Sequence, residues 1–277
     1  MPDFFENVDS LGIVENHIQE VLKLEERQAR QLLTRYKEVR QELRDRLDYI
    51  PEGTFTSQRL RGVLVQVEAA IAAMSSSLKT GMNDLAKESA LKGVDHQLAE
   101  IRKFDKEFLG AVTPIDVNRV LVMEETNNFL LNKYESSIDA YGQDLISQIT
   151  STLSTQALME APLSTVVRNL GRFFQGEEWK LHRIARTEFH GVYNIAKMKS
   201  MSGVRDDYLP DLQKTLIHPM DARTGDDSKL LARKNPIVGV DEPFKYTYKG
   251  KVRVFMAPPD RPNDRAILVP YRQVWEK

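Results

Sequence analysis

The sequence predicts an α+β protein, with a mainly α-helical N-terminal part of long helices followed by a helix packed on a small β-rich C-terminal module. Three observations carry that expectation. Residues 15–49 contain neither Gly nor Pro, and their apolar side chains recur at spacings of three and four. A second stripe of the same period follows from Ser57 to about Ala90. Beyond Gly203 the period changes to two, the signature of strands.

The first helix carries Ile18, Leu22, Ala29, Leu33, Tyr36, Val39, Leu43, Leu47 and, just beyond, Ile50 on one stripe. Glu, Gln, Lys and Arg, all good helix formers, fill the gaps. At 1.5 Å per residue this is a rod of roughly 50 Å. A rod with one narrow stripe needs a partner helix. Pro51-Glu52-Gly53 ends it. The return helix presents Leu60, Val63, Val67, Ala70, Ile71, Met74, Leu78, Met82 and Leu85. A weaker helix is expected from about Val94 to Phe108, then a break at Gly110–Pro114. Helix resumes through Met123, and another places Tyr134, Ile138, Tyr141, Leu145 and Ile149 on one face. The Ser- and Thr-rich run 150–155 is expected to fray. Gly171 and Gly176 are expected to bracket a short connection. The last strong helix, Glu177–Met201, has Glu177 and Glu178 in its first turn and Lys197 and Lys199 near its end, complementing its dipole. Ser202-Gly203 is expected to close it. Phe244–Tyr248 and Val252–Met256 alternate around Lys249-Gly250, a hairpin pattern, and residues 266–269 read as one more strand. The expected organisation is a long helical hairpin or bundle over 1–112, a helical domain over 113–203, and a small β-rich module over 204–277.

Composition narrows the chemistry. Hydrophobic residues make up 41% and charged residues 29%, enough to build a core. With no cysteine, disulfides, thiolate metal sites and thiol nucleophiles are excluded. The acidic start has no basic segment of a signal peptide, and no apolar run approaches the ~18 residues that span a bilayer, so an intracellular, non-membrane protein is expected. There is no Gly-rich phosphate loop, no His-Glu-x-x-His helix and no Gly-x-Ser-x-Gly elbow. Charge is unevenly placed: residues 1–162 carry 18 Lys and Arg against 26 Asp and Glu, and residues 163–277 carry 21 against 14. Either the two folded parts simply differ in surface charge, or the basic C-terminal part faces an acidic partner such as double-stranded DNA, bound without sequence preference. Lys180, Arg183, Lys197, Lys199, Arg253, Arg261 and Arg265 are the candidate contacts.

Two clusters carry the remaining signal. Glu188 falls on the apolar stripe Leu181, Ile184, Ala185, Val192, Ile195, so its carboxylate needs a donor from elsewhere. Arg223 is the expected partner, with Asp221 holding the loop or pairing with Arg186. That makes a clasp between helix and β module. The second cluster, His218 to Ser228, is rich in turn formers and reads as a tight loop. A rival reading takes Glu188, His218, Asp221 and Asp226 as a metal-assisted hydrolase or transferase centre. Another takes the long helices as a cellular coiled-coil adaptor.

The motif Arg183-Ile184-Ala185-Arg186-Thr187-Glu188, with Asn194 six residues on, resembles the helix signature of the phage Mu F-like minor head (head morphogenesis) proteins of tailed bacteriophages. Asp221-Ala222-Arg223-Thr224 is similar to the Asp-x-Arg-Thr loop of that family. Phe244, Gly250, Pro258-Pro259 and Arg261–Arg265 look like its continuation, so the resemblance spans roughly 163–271. Where many members carry Cys or His after the loop, this chain has Gly225, Asp226, Asp227 and Ser228. The resemblance implies a low-copy structural protein of the virion with no catalytic residues, cofactor or metal. Its partners would be the portal and the major capsid or scaffolding protein, with packaged DNA as a further contact. It would act in head assembly, packaging or ejection and be present in host cytoplasm during assembly; the stripes of the N-terminal helices, for their part, serve core packing or self-association into an oligomer.

Overall fold

The computed structural model describes residues 8–48, 57–106, 108 and 136–276. Among the described residues, four long helices come first: α1 (Val8–Asp48), α2 (Ser57–Phe104), α3 (136–158) and α4 (Leu163–Asp207). Then follow β1 (Gln213–Ile217), α5 (Asp226–Lys234), β2 (Val238–Gly239), β3 (Phe244–Tyr248), β4 (Lys251–Phe255), β5 (Ile267–Tyr271) and a 3-10 turn, Gln273–Glu276. The fold is α+β, as the sequence predicts. No helix among the described residues is long and apolar enough to cross a membrane.

The chain divides into two compact units that share helices. One comprises Gln28–Asp84 and Leu131–Ala185. Its described residues are helical apart from a turn at 159–162, with a core that includes Leu32, Tyr36, Val67, Met74, Leu78, Ile138, Leu145 and Ile149. Polar ties join its helices at the rim: Arg35 donates to the Ser77 carbonyl at 3.0 Å, and Arg40 donates to Glu178 at 2.7 Å.

The other unit comprises Met1–Arg27, Leu85–Leu130 and Arg186–Lys277. Here α1 and α2 run antiparallel, since Arg27 meets Glu88 while His17 meets Glu100. One cluster unites helices and sheet: Val14, Ile18, Val21, Phe104, Tyr193, Ile217, Ile267 and Val269. The three-stranded sheet has order β2-β1-β5 and is antiparallel; β3 and β4 form a separate two-stranded hairpin. Its turn places Lys249 at φ 47° and Gly250 at φ 74°, the left-handed pair that a two-residue hairpin loop requires.

Several boundaries differ from the sequence expectations. The return helix and the weaker one after it are a single α2. Gly93 lies inside it because the side-chain-free position admits α4: a Cβ there would sit 2.4 Å from the Tyr193 carbonyl oxygen. Gly93→Ala is therefore expected to cost about 1–3 kcal/mol through overpacking against backbone, which urea denaturation will read. α4 runs unbroken through Gly171, Gly176 and Gly203, since one Gly costs a helix only about 1 kcal/mol and tertiary packing outweighs that. The Ser/Thr run does not fray. Thr152 and Thr155 return their hydroxyl protons to the carbonyls of Gln148 and Ser151, and Leu153 and Ala157 are buried. On α1 Ile18, Ala29 and Tyr36 are buried as expected, while Val21 and Leu32 are buried and the expected Leu22 and Leu33 are only half-buried, so the buried face is wider than the narrow stripe. The expected tight loop at 218–228 ends in a helix, α5. The expectations for Gly110–Met123 and Tyr134, and for the side chains of Val39, Leu43, Leu47 and Ile50, lie outside the described residues.

Candidate functional site

The C-terminal half of α4 is where the motif residues gather. Its buried face carries Phe189, Val192, Tyr193 and Ala196, and among them the polar groups Glu188, His190, Asn194, Lys197 and Ser200. Buried polar atoms need partners, and here those partners tie the helix to the β module. Asn194 accepts a 2.8 Å hydrogen bond from the Leu268 N–H and donates to the Ala266 carbonyl at 3.2 Å, docking the start of β5 on the helix. His190 bridges Glu25 Oε1 at 2.5 Å and the Ala266 carbonyl at 2.6 Å. Both are acceptors, so both ring nitrogens carry hydrogen and the imidazole is cationic. Burial depresses its pKa; the Glu25 charge and the two hydrogen bonds outweigh burial and raise it. The Thr187 hydroxyl accepts from the Asn263 N–H at 3.4 Å.

The Asp-x-Arg-Thr loop is built from its own side chains. Asp221 Oδ1 accepts from the Arg223 N–H at 2.9 Å, an Asx turn. Thr224 Oγ1 accepts from the Asp221 N–H at 3.1 Å and donates to the Pro219 carbonyl. The clasp partner of this loop is Arg265, whose guanidinium makes a two-pronged pair with Asp221 at 2.7 and 2.6 Å. Those hydrogen bonds hold the Asp221 carboxyl well below the usual carboxylate range.

The expected Glu188–Arg223 pair is not formed. Glu188 is buried as its stripe position demands, but Arg223 is 66% exposed at its side chain and approaches Asp221 at 3.7 Å. The Asx turn points Arg223 outward while Asp221 faces Arg265. Arg186 is only partly buried.

The candidate DNA contacts separate into distinct environments. Lys197 is fully buried and donates to both oxygens of Glu100, at 2.7 and 2.8 Å, so it presents no charge to a phosphate. Arg253 and Arg261 share Asp260, and Arg261 also reaches Asp227 at 2.7 Å. Lys180 lies 2.9 Å from Glu177. Arg183 stacks on the half-exposed Trp179 ring at 4.7 Å, and Lys199 is exposed. The hairpin adds a group that charge counting along the chain does not single out: Lys245, Lys249 and Lys251, all exposed, with no acidic residue from Phe244 to Phe255.

A second polar group was invisible to motif reading. His17 contacts Glu100 at 2.8 Å beside Lys197, and its ring stacks on His96 at 3.7 Å. His96 lies 2.9 Å from the Tyr193 hydroxyl and 3.2 Å from Glu20. A neutral imidazole satisfies both, accepting from the phenol and donating to the carboxylate. Burial, with the charges of His17, Lys197 and Lys92, pulls the His96 pKa down to about 3. The sequence signal was slight: His17, Glu25, Glu100 and Lys197 sit at the border of the apolar stripes of their helices.

Glu188, His218, Asp221 and Asp226 do not converge on one centre. Asp221 is committed to Arg265, and Asp226 is 82% exposed at its side chain. Among the described residues, no group of three or more His, Cys, Asp or Glu is placed to hold a metal ion. No family model, curated protein or solved structure matches this chain.

Proposed function

We propose that this protein is a minor head protein of a tailed bacteriophage, of the phage Mu F-like kind, acting as a docking component at the portal or the inner face of the capsid. The observation that carries the reading is the meeting of the motif segments. Thr187 and Asn194 on α4, Asp221 in the loop and Asn263–Leu268 at the C-terminal end are joined by hydrogen bonds spanning 44 to 76 residues of sequence. A shared motif whose parts hold each other is the behaviour of a scaffold. Thr187, Asn194, Asp221 and Thr224 of the motif spend their polar groups on the chain itself, which favours assembly over chemistry.

The long helices supply the docking faces in this reading. Contact with packaged DNA is non-specific and falls to the exposed hairpin lysines, Lys245, Lys249 and Lys251, more than to the paired arginines. The test is co-expression with the portal protein encoded beside this chain, followed by size-exclusion chromatography. Co-elution with the portal ring is expected. Separate elution removes the reading, and so does a genome that has no portal or terminase gene nearby.

A further inference from the structure

A cavity of about 200 Å³ opens where α5 begins, between the Asp-x-Arg-Thr loop and the loop at 261–265. Its lining is polar and cationic, with Arg223, Arg261 and Arg265 against a single carboxylate, Asp227. Three features of it are unused by the fold. His218 lines the cavity at 6% exposure, and its Nε2 has no hydrogen-bond partner. A buried ring nitrogen without a partner is an uncompensated cost unless something fills the space in front of it. α5 starts at Gly225, which offers no side-chain cap; Asp227 Oδ1 takes the Ser228 N–H at 2.9 Å, which leaves the Asp226 and Asp227 N–H groups at the positive end of a nine-residue helix beside the cavity. Arg223 is two-thirds exposed, and the carboxylate it approaches, Asp221, already receives both prongs of Arg265.

We propose that this cavity binds a phosphate-type oxyanion, held by the Arg223 guanidinium, the Asp226 and Asp227 N–H groups that open α5 and the His218 imidazole. The donors approach from three directions: the helix start, the loop and the cavity floor. That arrangement suits a tetrahedral anion better than a planar carboxylate, which is served by one guanidinium fork. Arg261 has a different task. It joins Asp227, Ser228 and Asp260, and so fixes the helix start against the 261–265 loop and keeps the cavity open. Asp227 is neutralised in the same contact. Burial keeps His218 uncharged near neutral pH, which leaves its imidazole as a hydrogen-bonding group rather than a charge. The anion has two sources of the same chemistry, free phosphate or phosphomonoester, and the phosphodiester of nucleic acid. The site does not depend on the function proposed above.

The test uses the full chain and inorganic phosphate. Thermal melts are compared in sodium phosphate and in sodium chloride at equal ionic strength and pH. A saturable rise in Tm with phosphate is expected, absent with chloride. R223Q removes an exposed charge, so each variant is read against its own chloride baseline, and its apparent phosphate affinity is expected to fall at least tenfold. H218Q is expected to weaken binding as well, and R223K to retain part of it. A duplex oligonucleotide identifies the source: displacement of duplex by millimolar phosphate, lost in R223Q, points to a phosphodiester, whereas phosphate binding without displacement points to a free anion. Equal melts in phosphate and chloride, or undiminished phosphate binding by R223Q, overturn the proposal.

Discussion

Lys197→Met is expected to lower the unfolding free energy by about 3–5 kcal/mol, because it leaves the Glu100 carboxylate buried beside a single remaining partner, His17. Lys197 and Glu100 are both fully buried, and the ammonium donates to both carboxylate oxygens. The cost arises mainly from the charge left behind. Lys197→Met with Glu100→Leu is therefore expected to recover most of the loss, since apolar groups of similar volume replace a buried pair at little net cost. Urea denaturation of the two single variants and the double gives the coupling directly. A double variant as unstable as the sum of the singles rules out the buried pair as the source. The same measurement bears on DNA. A lysine engaged in the core contributes nothing to binding, so the salt slope of any retardation is expected to be unchanged in the double variant.

The architecture was legible where one physical signal dominates. Uninterrupted helix formers over 15–49 announced α1, and Lys249-Gly250 between alternating residues announced the β3–β4 hairpin. It failed where tertiary contact outweighs a local signal. Glycines at 93, 171, 176 and 203 punctuate a helix in isolation; in α2 and α4 neighbouring packing carries the helix through them. α5 was missed although its signals were present, with Asp226 and Asp227 in the first turn, Arg233 and Lys234 in the last, and Asn235 in the left-handed cap. A short helix offers too few turns for periodicity to outvote turn-forming composition.

The site was half legible for a related reason. The stripe position of Glu188 predicted its burial, because that depends on one helix alone. Its pairing with Arg223 failed, because partner choice depends on where loops place side chains. The Asx turn at Asp221 decides that Arg265, not Arg223, faces inward. The buried histidines were missed because a helix packed on several sides buries a wide arc. His17, His96 and Glu25 then lie inside a core while still reading as the polar flank of a narrow stripe.

His190 and Glu25 are expected to form the second large contribution, and one with a pH dependence of definite sign. Both side chains are almost fully buried, and the imidazole spans Glu25 and the Ala266 carbonyl. His190→Leu is expected to cost about 3–5 kcal/mol near neutral pH, by stranding Glu25 in the core. The folded-state pKa of His190 is raised above its ordinary value of 6.5. A histidine whose pKa rises on folding binds its proton more tightly in the native state. Its stabilisation is fully present below pH 6.5 and is lost as pH climbs through the raised folded value. His96 runs the other way. Its pKa is depressed to about 3, so its contribution is present above pH 6.5 and is lost as pH falls from there towards 3. Comparing the wild type with Glu25→Gln/His190→Leu separates the two, because the double variant leaves neither partner stranded to titrate and keeps His96 intact. The stability difference between the two proteins is expected to be largest near pH 6 and to shrink as pH rises towards 9. Nitrogen-15 spectra of the wild-type imidazole supply the independent check, with both His190 nitrogens protonated at pH 7. A stability difference that grows with pH, or a singly protonated His190 at pH 7, contradicts the cationic bridge.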